Sequence, residues 1–412
     1  MTVTDRQRGD RPADGPPAPA GDGPLPHYVN TAPWNPYLEE PLTAKQQEYF
    51  LASQWKIMWW KLQRHRLAMV SGALLAFFYV SILFVEVLAP YSQESRDRTH
   101  IYAPPQVIHF FHDGRFIGPF VYGYDVETVL ELSGRAGTRT IRRVFTPDLE
   151  DVQPVRFLCS GDPYEFWGLI PMRFHIMCPA ENGTLYLLGT DRLGRDLLSR
   201  MIYGGRISLS IGLFGIAVSF TLGITFGGIA GYYGGWADNL INRIIEIFQS
   251  FPQLPLWMAL SAALPPTWSP ILIYFGITII LGLVDWTGLA RAVRSKLLSL
   301  REEDFTQAAQ LMGASSRRII GRHLLPSFMS HLIASATLAI PAMILGETAL
   351  SFLNLGLRPP ITSLGVLLNE AQNINVVALY PWLMLPVVPV VLIVLAFQFF
   401  GDGLRDAADP YK

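Results

Sequence analysis

The sequence predicts an all-α polytopic membrane protein with six transmembrane helices and a mostly β and loop external insertion between the first two. Hydrophobic residues make up 50% of the chain and charged residues only 16%, whereas soluble domains carry about 25% charged residues. The mean hydropathy of +0.28 agrees with this class. Apolar runs long enough for a membrane-crossing helix of about 20 residues recur between polar loops.

The first 90 residues contain a polar tail, an aromatic and basic stretch, and the first span. Residues 1–43 are rich in Pro, Gly, Ala and Asp, so we expect a disordered cytoplasmic tail. Residues 44–90 combine the stretch with the span Leu67–Ala89. The stretch is typical of a helix in the headgroup layer or of one packed on the inner end of the protein. Its basic residues place the N-terminus in the cytoplasm, and we expect no removable signal peptide.

Residues 91–190 hold no apolar run long enough to cross a bilayer, so they are expected to form the external insertion. The dipeptide Asp113–Gly114 favours a tight hairpin turn between two strands. His109 and His112 flank this turn. A metal site there is one hypothesis, but two histidines without a third ligand are more often surface residues, so we expect no bound metal.

Both cysteines of the chain, Cys159 and Cys178, fall in this insertion. An external compartment is oxidising, and a disulfide can persist there. Closing a loop of this size stabilises a fold by about 3 kcal/mol in the chain-entropy model. The disulfide is therefore the preferred hypothesis, and two buried free thiols are the alternative.

Residues 191–412 are expected to form the membrane core with the other five spans. Arginines alternate with leucines over Gly189–Leu209, which predicts an amphipathic helix along the outer surface. The second span, Ile207–Ala230, follows. In lipid, small residues let helix backbones approach closely, so a stripe of them predicts a central helix or a subunit interface. Such a stripe recurs every four residues along and just beyond this span and includes Gly223, Gly227 and Gly231.

The third and fourth spans carry features that need neighbours. Two prolines in the third span, Ile244–Leu264, predict a kinked or broken helix. The fourth span, Ile271–Ala290, holds Asp285 near its inner end. An intramembrane carboxylate is a functional candidate, but a structural ion pair is the preferred interpretation, with Arg291 or Arg294 as its partner.

The fifth span is Ser327–Gly346 and the sixth is Trp382–Phe400, with an external stretch between them from Glu347 to Tyr380. The C-terminus then lies inside. In this topology every lysine falls on the cytoplasmic side, as positively charged residues near spans usually do. These lysines are Lys45, Lys56, Lys61, Lys296 and Lys412.

The loop between the fourth and fifth spans, residues 291–326, contains the longest polar break in the second half of the chain. It predicts a short helix that ends at Gly313, followed by a basic helix with Arg317. The adjacent Ala308 and Ala309 predict a smooth exposed face that another protein can approach closely. The alternative is a solvated basic loop, since positive loops are expected in the cytoplasm.

Several classes of chemistry lack their sequence patterns. There is no GxxxxGK[ST] phosphate loop, no HExxH metal pattern and no GxSxG nucleophile turn. Charged residues lie near the ends of the spans rather than within them, which argues against a proton-coupled transporter. The sequence therefore predicts a protein that is not an enzyme and binds no cofactor itself.

This loop resembles that of the permease subunits of ATP-binding-cassette importers. The family pattern is Glu-Ala-Ala, three residues, Gly, nine residues, Ile, one residue and Leu-Pro. At the same spacing this sequence has Gln307, Ala308, Ala309, Gly313, His323, Leu325 and Pro326. Gln307 thus replaces the family Glu, and His323 replaces the Ile. Two further segments, Gly189–Leu213 and Gly401–Pro410, are similar to the second, C-type permease of the dipeptide, oligopeptide and nickel branch.

The resemblance implies a type I importer permease fold in the inner membrane of a prokaryote. It implies four kinds of partner: a homologous second permease, two ATP-binding-cassette ATPases that bind ATP and Mg²⁺, an external substrate-binding protein, and membrane lipid. No nucleic acid is expected. The helix before Gly313 would be the coupling helix that sits on an ATPase subunit, and its implied contact residues are Phe305, Gln307, Ala308, Ala309, Met312, Gly313 and Arg317.

The resemblance thus implies uptake of di- or oligopeptides, or of similar small solutes, that the external protein delivers. The alternative function is a membrane-bound sensor or scaffold that retains the permease fold without transport. Residues 91–180 form a larger external region than the loop usual in the branch, and this enlarged region is expected to dock the binding protein or to cover the mouth of the pore.

Overall fold

The computed structural model describes residue 48, residues 51–133 and residues 138–409. The tail predicted for residues 1–43 lies outside the described residues. In chain order the helices are α1 (Gln54–Arg64), α2 (Arg66–Leu83), α3 (Val85–Leu88), α4 (Leu197–Tyr233), α5 (Gly235–Ser250), α6 (Gln253–Ala262), α7 (Pro270–Leu300), α8 (Asp304–Leu311), α9 (Met329–Phe352), α10 (Leu364–Glu370), α11 (Ile374–Leu379) and α12 (Val387–Ala408). The strands are β1 (His109–His112), β2 (Arg115–Ser133), β3 (Thr138–Pro154), β4 (Arg156–Phe166) and β5 (Ile170–Cys178).

The long apolar helices confirm the predicted class, an α-helical membrane bundle with a β insertion. Within the described residues, five helical segments are long and apolar enough to cross a bilayer: Arg66–Leu83, Leu197–Tyr233, Pro270–Leu300, Met329–Phe352 and Pro381–Ala408. Aliphatic side chains of α4, α7, α9 and α12 form the main core, for example Leu209, Ile277, Ile344 and Ile393.

The predicted third span is broken, as its prolines indicate. It is divided between α5 and α6, and Phe251 between them is extended, with φ −96° and ψ 141°. A proline disfavours helical geometry at the residue before it, and Pro252 follows Phe251. The third apolar segment is therefore two consecutive helices, and neither is long enough to cross a bilayer alone.

The carboxylate of Asp285 lies beside this break. The expected ion pair with Arg291 or Arg294 is wrong, because Asp285 accepts a hydrogen bond from Gln253 at the start of α6. Arg294 instead pairs with Asp238 of α5. The polar side chain that follows the break thus satisfies the carboxylate on the neighbouring helix.

The glycines of α4 face α7, so the stripe packs at the centre of this bundle. A Cβ built on Gly227 would lie 2.5 Å from the carbonyl oxygen of Ala290, and one on Gly231 would lie 2.8 Å from that of Arg294. A Cβ on Gly223 would lie 2.8 Å from the Leu289 side chain. The two backbones therefore approach closely over two to three turns, as small residues allow in lipid.

Helix α1 packs one face on the end of the bundle and exposes the other. Met58 and Leu62 are buried with Leu404 and Ala407 of α12, whereas Trp55 and Trp59 on α1 are half exposed. The stretch was expected either to pack on the inner end of the protein or to lie in the headgroup layer. The face with Met58 and Leu62 packs on the protein. The tryptophans on the other face remain suited to a headgroup layer.

The insertion consists of a three-stranded antiparallel sheet, β1-β2-β3, and a separate β4–β5 hairpin. The predicted turn is confirmed: Asp113 and Gly114 connect β1 and β2 with φ of 48° and 76°, the left-handed values that a tight hairpin turn requires. In the second hairpin, Cys159 and Cys178 form a disulfide. Of the two alternatives for the cysteines, the structure therefore has the bonded one.

Candidate functional site

The predicted coupling helix, α8, lies in the loop between α7 and α9 and is held against the end of α7. The Thr306 hydroxyl is buried and donates to the carbonyl oxygen of Leu300 over 2.8 Å. Ala309 is only 3% exposed and packs with Val293 and Leu297 of α7. These contacts attach α8 to the end of α7.

The expectation that Ala308 and Ala309 share an exposed face is wrong for Ala309. Positions 306 and 309 are three residues apart and face the bundle. Ala308 lies on the opposite side and is exposed. Large apolar side chains dominate the surface there instead: Phe305 is exposed, Leu311 is 90% exposed and Met312 is 82% exposed. An exposed apolar group of this kind is typical of a surface that binds another protein.

Gly313 ends α8 for a conformational reason. Its φ is +78°, a left-handed value that costs residues with a Cβ and that glycine adopts freely. Its N–H donates to the carbonyl oxygen of Gln310 over 2.9 Å. No atom lies within 4 Å of a Cβ built there, so backbone geometry, and not crowding, accounts for the glycine.

Gln307, which replaces the family Glu, is bonded to the backbone before the helix. Its amide nitrogen donates to the carbonyl oxygen of Glu302 over 3.1 Å. A carboxylate has no proton to donate and could not make this bond. The glutamine therefore has a local structural role, which the sequence pattern did not indicate.

The basic helix predicted after Gly313 is present, but its middle is π-helical. Short α-helical turns at Ser316–Arg318 and Leu325–Ser327 flank a π-helical stretch, Ile319–Leu324. Arg317 is exposed. Ile319 and Leu324 are buried with Ala309, so this segment packs against the buried face of α8. Its arginines are exposed.

At the other end of the bundle, the predicted amphipathic surface helix over Gly189–Leu209 is wrong. Residues before Leu197 form a turn, in which Asp191 accepts from the N–H groups of Leu193 and Arg195 over 2.7 and 3.0 Å. The rest of the segment is the first part of α4. Four charged side chains of this segment, Asp191, Arg195, Asp196 and Arg200, are buried, whereas Arg192 is exposed.

Three of these side chains form, with Glu370, a buried ion cluster of two arginines and two carboxylates. Arg200, 1% exposed, contacts Asp191 over 2.6 Å and both Glu370 oxygens over 2.7 and 3.0 Å. Arg195 contacts Asp191 over 2.6 Å and Glu370 over 3.3 Å. The charges balance, and the cluster connects the start of α4 to the end of α10. Burial beside Arg200 holds the pKa of Arg195 below its usual value.

Another carboxylate, that of Glu347, is buried nearby and joins the same elements. Glu347 was expected to begin an external stretch, but it lies within α9 and is fully buried. It accepts from the hydroxyls of Ser208 on α4 and Ser351 on α9, each over 2.8 Å. The Ser208 hydroxyl in turn accepts from the N–H of Leu364, the first residue of α10, over 3.2 Å. Glu347 therefore connects three helices at one point.

Asp196, the N-cap of α4, carries a charge that burial disfavours. One of its oxygens accepts from the Ser199 N–H and hydroxyl over 2.7 and 2.6 Å. Desolvation raises the pKa of its carboxyl to about 6, from an ordinary value of 3.8. The folded state therefore binds this proton more tightly than the unfolded state does.

From this shift we predict that stability falls as the pH rises through about 4 to 6, by about 3 kcal/mol from this group alone. Asp196→Asn keeps a good N-cap acceptor and removes the charge. We therefore expect the melting temperature of the variant minus that of the wild type to be larger at about pH 7.5 than at about pH 4.5. Thermal unfolding in detergent at both values measures this, and a difference between the two proteins that is independent of pH would contradict it.

The long apolar helices of the described residues define a polytopic membrane protein. The loop that carries α8, Gly313 and the basic segment has the residue spacing of the permease class. Residues 223–411 match the family model described as "Binding-protein-dependent transport system inner membrane component". Residues 53–105 match "N-terminal TM domain of oligopeptide transport permease C". The chain belongs to this family of binding-protein-dependent transport system inner membrane components.

Three relatives show the degree of similarity. The dipeptide transport system permease protein DppC of Lactococcus lactis is 42% identical over 226 residues, 55% of this chain and 64% of that protein. DppC of Alkalihalophilus pseudofirmus is 42% identical over 54% of this chain and 71% of its own length. The oligopeptide transport system permease protein OppC of Haemophilus influenzae is 41% identical over 55% of this chain and 70% of its own length.

Proposed function

We propose that this chain is the C-type permease subunit of an ATP-driven importer and forms half of its pore. The proposed substrates are di- or oligopeptides, or similar small solutes. The observation that carries the proposal is the exposed apolar surface of α8, made by Phe305, Leu311 and Met312, in a loop with the family spacing. Relatives named as dipeptide and oligopeptide permeases support the substrate class.

The partners follow from this role. A homologous second permease would complete the pore, two ATP-binding-cassette ATPases would bind α8 and its counterpart, and an external binding protein would deliver the substrate. ATP and Mg²⁺ would act on the ATPases, and this chain would carry no catalytic step. The proposed location is the inner membrane of a prokaryote. The distribution of lysines supports a topology with both termini and α8 in the cytoplasm.

The proposed mechanism is a movement of α8 that the bundle transmits. Closure of the ATPases on ATP would displace α8, and the Thr306–Leu300 bond and buried Ala309 would carry the displacement to α7. Since α7 packs tightly on the glycines of α4, the two helices would move together. The buried ion cluster would then convey the movement to α10. This describes an element with two states that a distant ligand biases.

The test is the substitution Gly313→Pro in the complete complex reconstituted in liposomes. Proline requires φ near −65° and has no N–H, so the turn after α8 must rebuild and α8 must change its orientation. We expect at least a tenfold loss of ATP-dependent peptide uptake, while the complex assembles and ATP hydrolysis continues. Uptake of a labelled peptide and phosphate release are measured on the same preparation.

Gly313→Asn is the matched control, since asparagine tolerates left-handed geometry better than most residues. It is expected to retain most of the uptake. Normal uptake by Gly313→Pro would refute the coupling role of α8. A wild-type complex that assembles and binds ATP but takes up no peptide would instead favour the sensor or scaffold function.

A further inference from the structure

The β4–β5 hairpin runs back toward the membrane along the end of the first spanning helix. Toward its base, opposite Cys159, His175 Nδ1 lies 2.7 Å from the carbonyl oxygen of Ala89, just after α3. At its tip, Trp167 Nε1 donates over 3.1 Å to the carbonyl oxygen of Leu83, the last residue of α2. Since Ala89 lies six residues beyond Leu83, the tip is the part of the hairpin nearest to the bilayer.

Three further contacts hold the hairpin together and in this position. The Phe166 ring stacks on Phe84, with centroids 6.4 Å apart and an interplanar angle of 25°. The Tyr164 hydroxyl donates across the hairpin to the carbonyl oxygen of Phe174 over 2.6 Å. The disulfide between Cys159 and Cys178 joins the two strands near their base. The tip is therefore fixed at the end of α2.

The exposed side chains of the hairpin tip, residues 167–170, are apolar. Leu169 is 82% exposed, and Trp167 and Ile170 are at least half exposed. This surface continues directly into exposed apolar side chains of α2 and the residue after it, which are Phe77, Val80, Leu83 and Phe84. On a membrane-crossing helix such side chains face lipid, so the tip extends a surface that lipid already covers.

The ion pair between Arg206 and Glu86 beside the tip also fits a membrane surface. The Arg206 guanidinium lies 5.1 Å from the centre of the Trp167 ring and pairs with the buried carboxylate of Glu86. Tryptophan with a neighbouring arginine and large aliphatic residues is the composition that anchors proteins at the headgroup level.

We propose that the β4–β5 hairpin is a membrane anchor, and that Trp167, Leu169 and Ile170 insert into the interfacial layer of the bilayer beside the end of α2. The ligand is lipid, namely the headgroups and upper acyl chains. The anchor would hold the insertion at a constant height above the transmembrane helices. It is independent of what the protein transports.

The test uses Leu169→Cys, labelled with an environment-sensitive NBD fluorophore in the purified complex in phosphatidylcholine–phosphatidylglycerol nanodiscs. Both native cysteines of this chain are bonded to each other, so the introduced thiol is the one in this chain that reacts without reductant. Leu149→Cys, at an exposed position on β3 in the other sheet, is the matched control. Relative to position 149, we expect the label at position 169 to emit at shorter wavelength and to be quenched several-fold more strongly by lipids with a doxyl group near the headgroup. Quenching of the label at position 169 by aqueous iodide should be weak.

Position 149 is expected to show the reverse pattern. Equal iodide quenching at the two positions would overturn the proposal, because the tip would then lie in water. Shielding of position 169 from both quenchers would also overturn it and would indicate a protein partner. Protection that arises only when the external binding protein is added would show that the tip docks that protein and not lipid.

Discussion

Arg200→Ala is expected to destabilise the folded chain by about 3 kcal/mol or more, because it removes one cation from a buried ion cluster. Asp191 and Glu370 would then share only Arg195, and one buried negative charge would remain without compensation. The contact between α4 and α10 would weaken at the same time. We expect a lower melting temperature of the purified protein in detergent and reduced uptake in the reconstituted complex.

Arg192→Ala is the matched control, because Arg192 lies in the same segment but is exposed. Its effect should be small, as is usual for surface substitutions. The double variant Arg200→Ala/Glu370→Ala separates the ion pair from general damage, since it restores the charge balance and should cost less than the sum of the two single changes. Equal melting temperatures for Arg200→Ala and Arg192→Ala would contradict a stabilising role of the cluster.

Gly227→Ala is expected to be clearly destabilising, by about 1–3 kcal/mol, whereas Gly228→Ala one position away should be nearly neutral. A Cβ on Gly227 would lie 2.5 Å from the Ala290 carbonyl oxygen and 2.9 Å from the Ala290 Cα. These are backbone atoms, so α4 and α7 must separate. A Cβ on Gly228 meets no atom closer than 3.9 Å.

Gly227→Leu extends this test to assembly. The longer side chain has no space between the helices, so we expect the permease complex to fail to form, as judged by co-purification of the partner subunits. Melting temperatures of the two alanine variants are compared under identical conditions. Similar values for Gly227→Ala and Gly228→Ala, or a normal complex with Gly227→Leu, would show that close contact of α4 and α7 is dispensable.

The features that the sequence predicts well depend on local chemistry. The Asp113–Gly114 turn follows from the left-handed geometry that these residues tolerate, and the break at Pro252 follows from the clash of proline with the residue before it. Gly313 ends its helix by the same local rule. The glycine stripe of α4 identifies the helix that packs most closely, because its spacing of four residues is a property of the helix itself.

Tertiary structure decides how the charged and small residues are used. Arginines alternate with leucines in the same way whether the charged face meets water or buried carboxylates, and Glu370 is 170 residues from Arg200. No local pattern contains that partner. The same reasoning applies to Ala309, which a neighbouring helix covers, and to Glu347, which two serines on different helices satisfy. Periodicity determines which residues share a face, and only the packing of distant segments determines what that face contacts.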